Sequence, residues 1–109
     1  DQQRVHGGLD IAALKDEPVR ATADGVVSRT GVNVSLGRYV EIVHQNGYRT
    51  RYGHLSKVLA ERRKRVARGE VIGLVGKTGK TNGYHIHYEI YHEGRILDPS
   101  TSFFPEQGL

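Results

Sequence analysis

The sequence has 109 residues, enough for one domain with a hydrophobic core of its own. It contains no cysteine, which excludes a disulfide framework and a thiolate metal site, and no apolar stretch reaches the length of a transmembrane helix. The formal net charge of +4 favours an anionic partner.

Short apolar runs, 14 glycines and few helical periods predict a mainly β fold for a single domain spanning residues 1–109. One short helical turn is predicted over residues 55–63, with Ser56 as its cap. These elements favour a single antiparallel sheet joined by short turns. The predicted strands lie at residues 19–21, 25–29, 39–45, 48–52, 71–75, 85–91 and 95–97.

The strongest local signal is a hairpin in the middle of the chain. Asn46 and Gly47 separate two alternating runs, and this dipeptide is typical of a two-residue type I′ turn. In that register Gln45 opposes Tyr48, and counting outward places Tyr39 opposite His54.

The histidines on this hairpin receive different interpretations. Alternation gives His54 a polar, aromatic face that suits a substrate groove, shared with Tyr48, Thr50 and Tyr52. His44 falls on the opposite face beside apolar residues and is interpreted as structural. Beyond the hairpin, His92 ends a later strand before Glu93-Gly94 and is predicted to be an exposed turn residue.

Two spaced patterns near the chain ends carry candidate metal ligands, His6-Gly-Gly-Leu-Asp10 and His85-Ile-His87. Together they offer imidazoles and one carboxylate, a donor set that suits zinc and, with three ligands, leaves a position open for water. On a strand, His85 and His87 share a face with Glu89, while Ile86 faces the core. Taken singly, each pattern is also compatible with ordinary surface residues, and it is their conjunction that predicts a site.

Basic residues cluster at Arg62-Arg63-Lys64-Arg65, with no interleaved aromatic side chain. Such a run is usually a solvated face, so no nucleic-acid partner is expected. A zinc-protease H-E-x-x-H helix is also absent from the sequence.

Several motifs, in order, resemble those of zinc metallopeptidase domains of the lysostaphin/LytM type, which cleave peptide bonds in peptidoglycan. The resemblance extends over nearly the whole chain. The matching segments are His6-Gly-Gly-Leu-Asp-Ile-Ala12, Tyr48-Arg-Thr-Arg-Tyr-Gly-His-Leu-Ser56, Ile72-Gly-Leu-Val-Gly-Lys-Thr-Gly79, Gly83-Tyr-His-Ile-His-Tyr-Glu89 and Asp98-Pro99.

The resemblance implies a role for each candidate residue. It implies that His6, Asp10 and His87 bind one zinc ion, and that His54 and His85 act on the water and the transition state. It also implies an antiparallel β-sheet, with little or no helix, and a narrow groove walled by loops that takes an extended peptide.

The implied function is a zinc-dependent endopeptidase that cuts peptide cross-links of peptidoglycan, with the D-alanyl–diaminopimelate bond preferred. The alternative is a non-catalytic or occluded relative that binds the wall or activates other wall hydrolases. Either function places the protein in the periplasm or elsewhere in a bacterial cell envelope. Because a candidate ligand lies so close to the first residue, we expect a fragment of a longer exported protein, with an upstream regulatory or anchoring segment.

Overall fold

The computed structural model describes residues 2–5, by their backbone alone, and residues 8–98. No helix occurs within these ranges, so none of them provides a helical membrane span. All strand pairings are antiparallel, which confirms the mainly β prediction. The described part of the chain contains ten strands, β1 (Gln2–Val5), β2 (Gly8–Ala12), β3 (Pro18–Arg20), β4 (Gly25–Asn33), β5 (Gly37–Val43), β6 (Tyr48–Val58), β7 (Arg65–Val66), β8 (Val71–Val75), β9 (His85–His92) and β10 (Arg95–Ile96).

The strand order brings distant parts of the chain together. The main path of the sheet runs β1-β2-β9-β6-β5-β4-β7; β10 pairs with β9, and β8 pairs with both β6 and β3. Strands β2, β9 and β6 are therefore neighbours, although they come from the beginning, the end and the middle of the sequence. These three strands carry the candidate residues from position 10 onward.

The hydrophobic core forms where apolar side chains of β3 and β8 pack with those of β4, β5 and β6. Ile86 and Tyr88 of β9 pack against this core from one face of their strand. That contact leaves the opposite face of β9, with the two histidines, free to line a surface cleft. The buried members of the core are Val19, Ala21, Val27, Val40, Ile42, Tyr52, Leu55, Val66, Ile72 and Val75.

The predicted Asn-Gly turn is present, but the ladder beside it is displaced by one residue. Asn46 and Gly47 have φ values of 62° and 79°, as a type I′ turn requires, and the Tyr48 N–H donates to the Gln45 carbonyl at 3.3 Å. The ladder starts at the pair Val43 and Arg49, and beyond it the His44 N–H donates to the Tyr48 carbonyl at 2.8 Å. The contact between Gln45 and Tyr48 thus closes the turn. In the ladder beside the turn, each residue of β6 pairs with the residue of β5 that lies one position before the predicted partner.

The prediction of a helical turn over residues 55–63 is wrong. Strand β6 continues to Val58 because its second half pairs with β8, and the N–H groups of Leu59 and Ala60 both donate to the Ile72 carbonyl. Ser56 caps no helix; its hydroxyl donates to Asp16 at 2.8 Å. Tertiary pairing with β8 therefore overrides the local helical preference.

Candidate metal centre

Cross-strand pairing brings two of the predicted ligands into contact. Asp10 on β2 pairs directly with His87 on β9, and the His87 Nδ1 lies 2.7 Å from the Asp10 Oδ1. Close approach of the strands is helped by Gly8, where a Cβ atom would lie only 2.6 Å from the His87 Cε1. Gly8, which has no Cβ, thus lets the backbone of β2 lie against the imidazole.

A third side chain, His54 of β6, completes a compact group of donors. One ligand atom from each of Asp10, His54 and His87 lies within 4.8 Å of the others. Imidazole nitrogen and carboxylate oxygen are ligands that zinc accepts, and atoms bound to one zinc ion lie about 3–4 Å apart. The described residues therefore fit a divalent metal in both donor chemistry and spacing.

The backbone at His54 decides which way its side chain points. His54 has a φ of 63°, a left-handed conformation, and its N–H donates to the Leu36 carbonyl at 2.6 Å. This conformation interrupts the alternation of β6, so His54 faces the same cleft as Arg51. The prediction that His54 shares a face with Thr50 and Tyr52 is therefore wrong. Those two side chains are fully buried, whereas His54 lines the cleft.

Hydrogen bonds fix the imidazole of His54. Its Nδ1 lies 2.7 Å from the Thr78 carbonyl oxygen, which can only accept, so Nδ1 carries the proton. The Nε2 atom then presents a lone pair. His54 is only 4% exposed, so little freedom remains for the ring to rotate.

His85 lies next to this group and has a similar arrangement. Its Nδ1 is 3.1 Å from the Gly83 carbonyl oxygen and 3.2 Å from the Thr81 hydroxyl. Donation to the carbonyl again leaves Nε2 as an acceptor. His85 lines a cavity together with Asp10, but it is outside the group formed by Asp10, His54 and His87. The remaining predicted ligand, His6, lies outside the described residues.

Two adjoining cavities form the cleft, and Asp10 and Lys80 line both of them. Their volumes are about 450 and 590 Å³. The walls are loops from residues 33–36 and 79–82, which are tied together by the Lys80 N–H donating to the Ser35 carbonyl at 3.0 Å. This agrees with the predicted groove walled by loops.

The two other histidines of the described residues, His44 and His92, do not line the cleft. His92 ends β9, stacks on Tyr48 with ring centroids 4.3 Å apart, and lies 3.1 Å from the Asn46 carbonyl oxygen, so it is bound to the hairpin turn. His44 is buried, as its structural interpretation predicts, with Nδ1 2.7 Å from the Asp24 carbonyl oxygen and Nε2 2.7 Å from the Thr50 hydroxyl.

Replacing His44 with glutamine is expected to flatten the acid dependence of stability. Burial lowers the pKa of His44, against the smaller effect of its Asp24 hydrogen bond. Because the pKa of His44 is lower in the folded state, neutral His44 contributes to the free energy of unfolding. That contribution is fully present above the unfolded-state pKa of about 6.5 and is lost as pH falls through the folded-state pKa. Urea unfolding at about pH 7.5 and about pH 5 measures this difference, which should shrink in His44→Gln. An equal difference in both proteins would contradict the assignment.

Glu89 lies on the face of His87, as alternation along β9 predicts, and it contacts the imidazole directly. The structure shows Glu89 Oε2 at 2.8 Å from the His87 Nε2, and Glu89 Oε1 at 3.3 Å from Arg51. Arg51 also pairs with Glu41, a buried carboxylate, at 2.8 Å. The alternation of β9 could have indicated the contact between Glu89 and His87, because residues two apart on a strand share a face.

The fold is an antiparallel β domain. A carboxylate and histidines from three neighbouring strands meet in one cleft of this domain and form a candidate His/Asp metal centre. Comparisons with known proteins agree. Residues 4–99 match the model of Peptidase family M23. The chain belongs to this family, which confirms the resemblance to the lysostaphin/LytM type.

Individual relatives support the same assignment. The chain is 43% identical over 100 residues to the peptidoglycan DD-endopeptidase ShyA of Vibrio cholerae, covering 92% of this chain and 23% of the relative. A crystal structure of a zinc-containing peptidase from Vibrio cholerae superposes with a TM-score of 0.87 at 37% identity, over 92% of this chain and 31% of that one. The catalytic domain of lysostaphin from Staphylococcus simulans gives 0.81 at 27% identity, over 87% of this chain and 76% of that one. The chain thus spans about a quarter of the length of the curated relative.

Proposed function

We propose that this protein is a zinc-dependent endopeptidase that hydrolyses peptide cross-links in bacterial peptidoglycan, and in particular the D-alanyl–diaminopimelate bond. The observation that carries the proposal is the convergence of Asp10, His54 and His87 in the cleft of a family M23 domain. The substrate class is supported by a relative at 43% identity that is named a peptidoglycan DD-endopeptidase.

In this proposal His6, Asp10 and His87 hold one zinc ion. Two neutral imidazoles and one carboxylate leave zinc with a net positive charge. With zinc bound, the site would have Lewis-acid chemistry available to polarise a peptide carbonyl and to bring the pKa of bound water down to about 7. Asp10 and His87 are fixed for this task by the pairing of β2 with β9.

His54 and His85 move the protons of the reaction. Each ring directs its Nδ1 proton to a backbone carbonyl, of Thr78 and Gly83 respectively, and so presents Nε2 as a base. One of the two accepts the proton of the attacking water at Nε2 and gives it to the nitrogen of the leaving amine as the C–N bond breaks. The other, in its imidazolium form, donates a hydrogen bond to the developing oxyanion. The carbonyls hold the proton of each ring on Nδ1, so Nε2 is the atom that gains or gives the second proton in either role.

The cleft suits an extended stem peptide. It is open along two cavities, and the cations Arg51 and Lys80 line it beside Asp10 and Glu89. The net charge of +4 adds a long-range attraction to an anionic wall polymer, which weakens as salt rises. A peptidoglycan substrate places the protein in the bacterial envelope, and a diaminopimelate cross-link points to the periplasm.

Digestion of purified sacculi with chelator-treated and zinc-restored protein tests this function. We expect the zinc-restored protein to convert cross-linked muropeptide dimers to monomers, and the chelator to abolish the conversion. The released products, identified by mass spectrometry, distinguish the D-alanyl–diaminopimelate bond from other peptide bonds. Stoichiometric zinc without product from any wall type would contradict the proposal and favour a non-catalytic or occluded regulator.

A further inference from the structure

We propose that Glu89 is a positioning residue, which fixes the ring orientation and the proton of His87 so that Nδ1 is free to bind the metal. This inference rests on the proposed role of His87 as a ligand. Nothing in the sequence motifs assigns a function to Glu89, which lies two residues beyond the H-x-H pattern.

The contacts of His87 define the role of each nitrogen. The Nε2 atom lies 2.8 Å from Glu89 Oε2, and the Nδ1 atom lies 2.7 Å from Asp10 Oδ1. An ionised carboxylate can only accept, so Nε2 keeps its proton for as long as Glu89 stays in place. Nδ1 is then the nitrogen that gives its lone pair to a cation beside Asp10.

Glu89 is itself held by two donors. Its Oε1 atom accepts from the Tyr91 hydroxyl at 2.9 Å and from Arg51 Nη1 at 3.3 Å. These donors occupy Oε1, so Oε2 is the oxygen of Glu89 that faces His87 Nε2.

The chain of contacts continues away from the cleft. Arg51 Nη2 donates to Glu41 Oε2 at 2.8 Å, and the Ser28 hydroxyl donates to Glu41 Oε1 at 2.9 Å. The planar guanidinium of Arg51 thus connects two carboxylates on different strands and restricts both. The result is a continuous chain of side-chain hydrogen bonds from β4 to His87, in the order Ser28, Glu41, Arg51, Glu89 and His87.

Stability alone does not account for this arrangement. Buried ion pairs are a weak source of folding free energy, because desolvation offsets the attraction between the charges. Glu41 is 4% exposed, and an apolar side chain there would avoid that cost. A carboxylate that orients a ligating histidine, by contrast, typically contributes about 10–100-fold to metal affinity.

Zinc affinity, measured by competition with a chromophoric chelator, tests the role of Glu89. We expect Glu89→Ala to weaken zinc binding by about 10–100-fold, and Glu89→Gln, whose amide oxygen still accepts from Nε2, to recover most of that loss. The matched control is Glu61→Ala, which removes one exposed carboxylate from the loop between β6 and β7, outside the lining of the cleft, and should bind zinc as the parent does. Equal affinity in Glu89→Ala and the parent would overturn the inference.

A second measurement needs no variant. Nitrogen-15 NMR of the zinc-loaded parent protein reports which nitrogen of His87 carries the proton, and we expect Nε2. A proton on Nδ1, with Nε2 bound to the metal, would overturn the inference even if Glu89→Ala failed to fold. Failure of the proposed function looks different: the parent would then bind no zinc, or His87→Ala would keep it.

Discussion

Replacing His87 with alanine is expected to abolish zinc binding and hydrolysis together. The substitution removes a nitrogen donor from the Asp10–His54–His87 group and leaves the carboxylates of Asp10 and Glu89 without their common partner. The metal supplies several kcal/mol of transition-state stabilisation, so its loss should lower turnover by more than about 10³-fold. Metal analysis after gel filtration and muropeptide release from sacculi measure the two effects.

The matched control for this experiment is His92→Ala. It removes an imidazole from the same strand, but His92 lies at the end of β9 against the hairpin turn. We expect this variant to retain zinc and activity. Full zinc retention in His87→Ala would contradict the ligand assignment.

Replacing His54 or His85 with alanine is expected to separate metal binding from catalysis. Both variants should keep stoichiometric zinc, while kcat falls by about 10²–10⁴-fold, the usual contribution of a positioned acid or base. The physical reason is that each ring presents Nε2 to the cleft, with its Nδ1 proton fixed by Thr78 or Gly83. Zinc content and turnover on a purified cross-linked muropeptide dimer are measured on the same samples.

The outcome for His54 is the more informative of the two. Its ligand atom lies within 4.8 Å of those of Asp10 and His87, whereas His85 is outside that group. Loss of zinc in His54→Ala, at the level seen in His87→Ala, would contradict its proposed role in proton transfer. It would reassign His54 to the metal and leave His85 as the proposed base.

Local patterns predicted much of the sheet. Alternation along β9 correctly separates His85 and His87 from the core-facing Ile86, because side chains on a strand point to opposite faces in turn. Asn46 and Gly47 predicted their turn for an equally local reason, since both adopt the positive φ that a type I′ turn requires.

The same rule of alternation failed at His54. A left-handed residue within β6 moves its side chain away from the face of Thr50 and Tyr52, and the counting rule assumes that no such interruption occurs. The end of β6 was likewise predicted as a helical turn, because the partner that extends it, β8, lies farther along the chain.

The sequence by itself determined the types of chemistry available: a carboxylate and histidines spaced for metal binding, no thiol, and alternating strands that expose them. Those properties depend on residue identity and near neighbours, which a linear pattern records. Only the tertiary structure decided that Asp10 pairs with His87, that His54 turns into the cleft, and that Glu89 is connected through Arg51 to Glu41. These contacts depend on the order of strands in the sheet and on one left-handed residue, which are set by the packing of the whole domain.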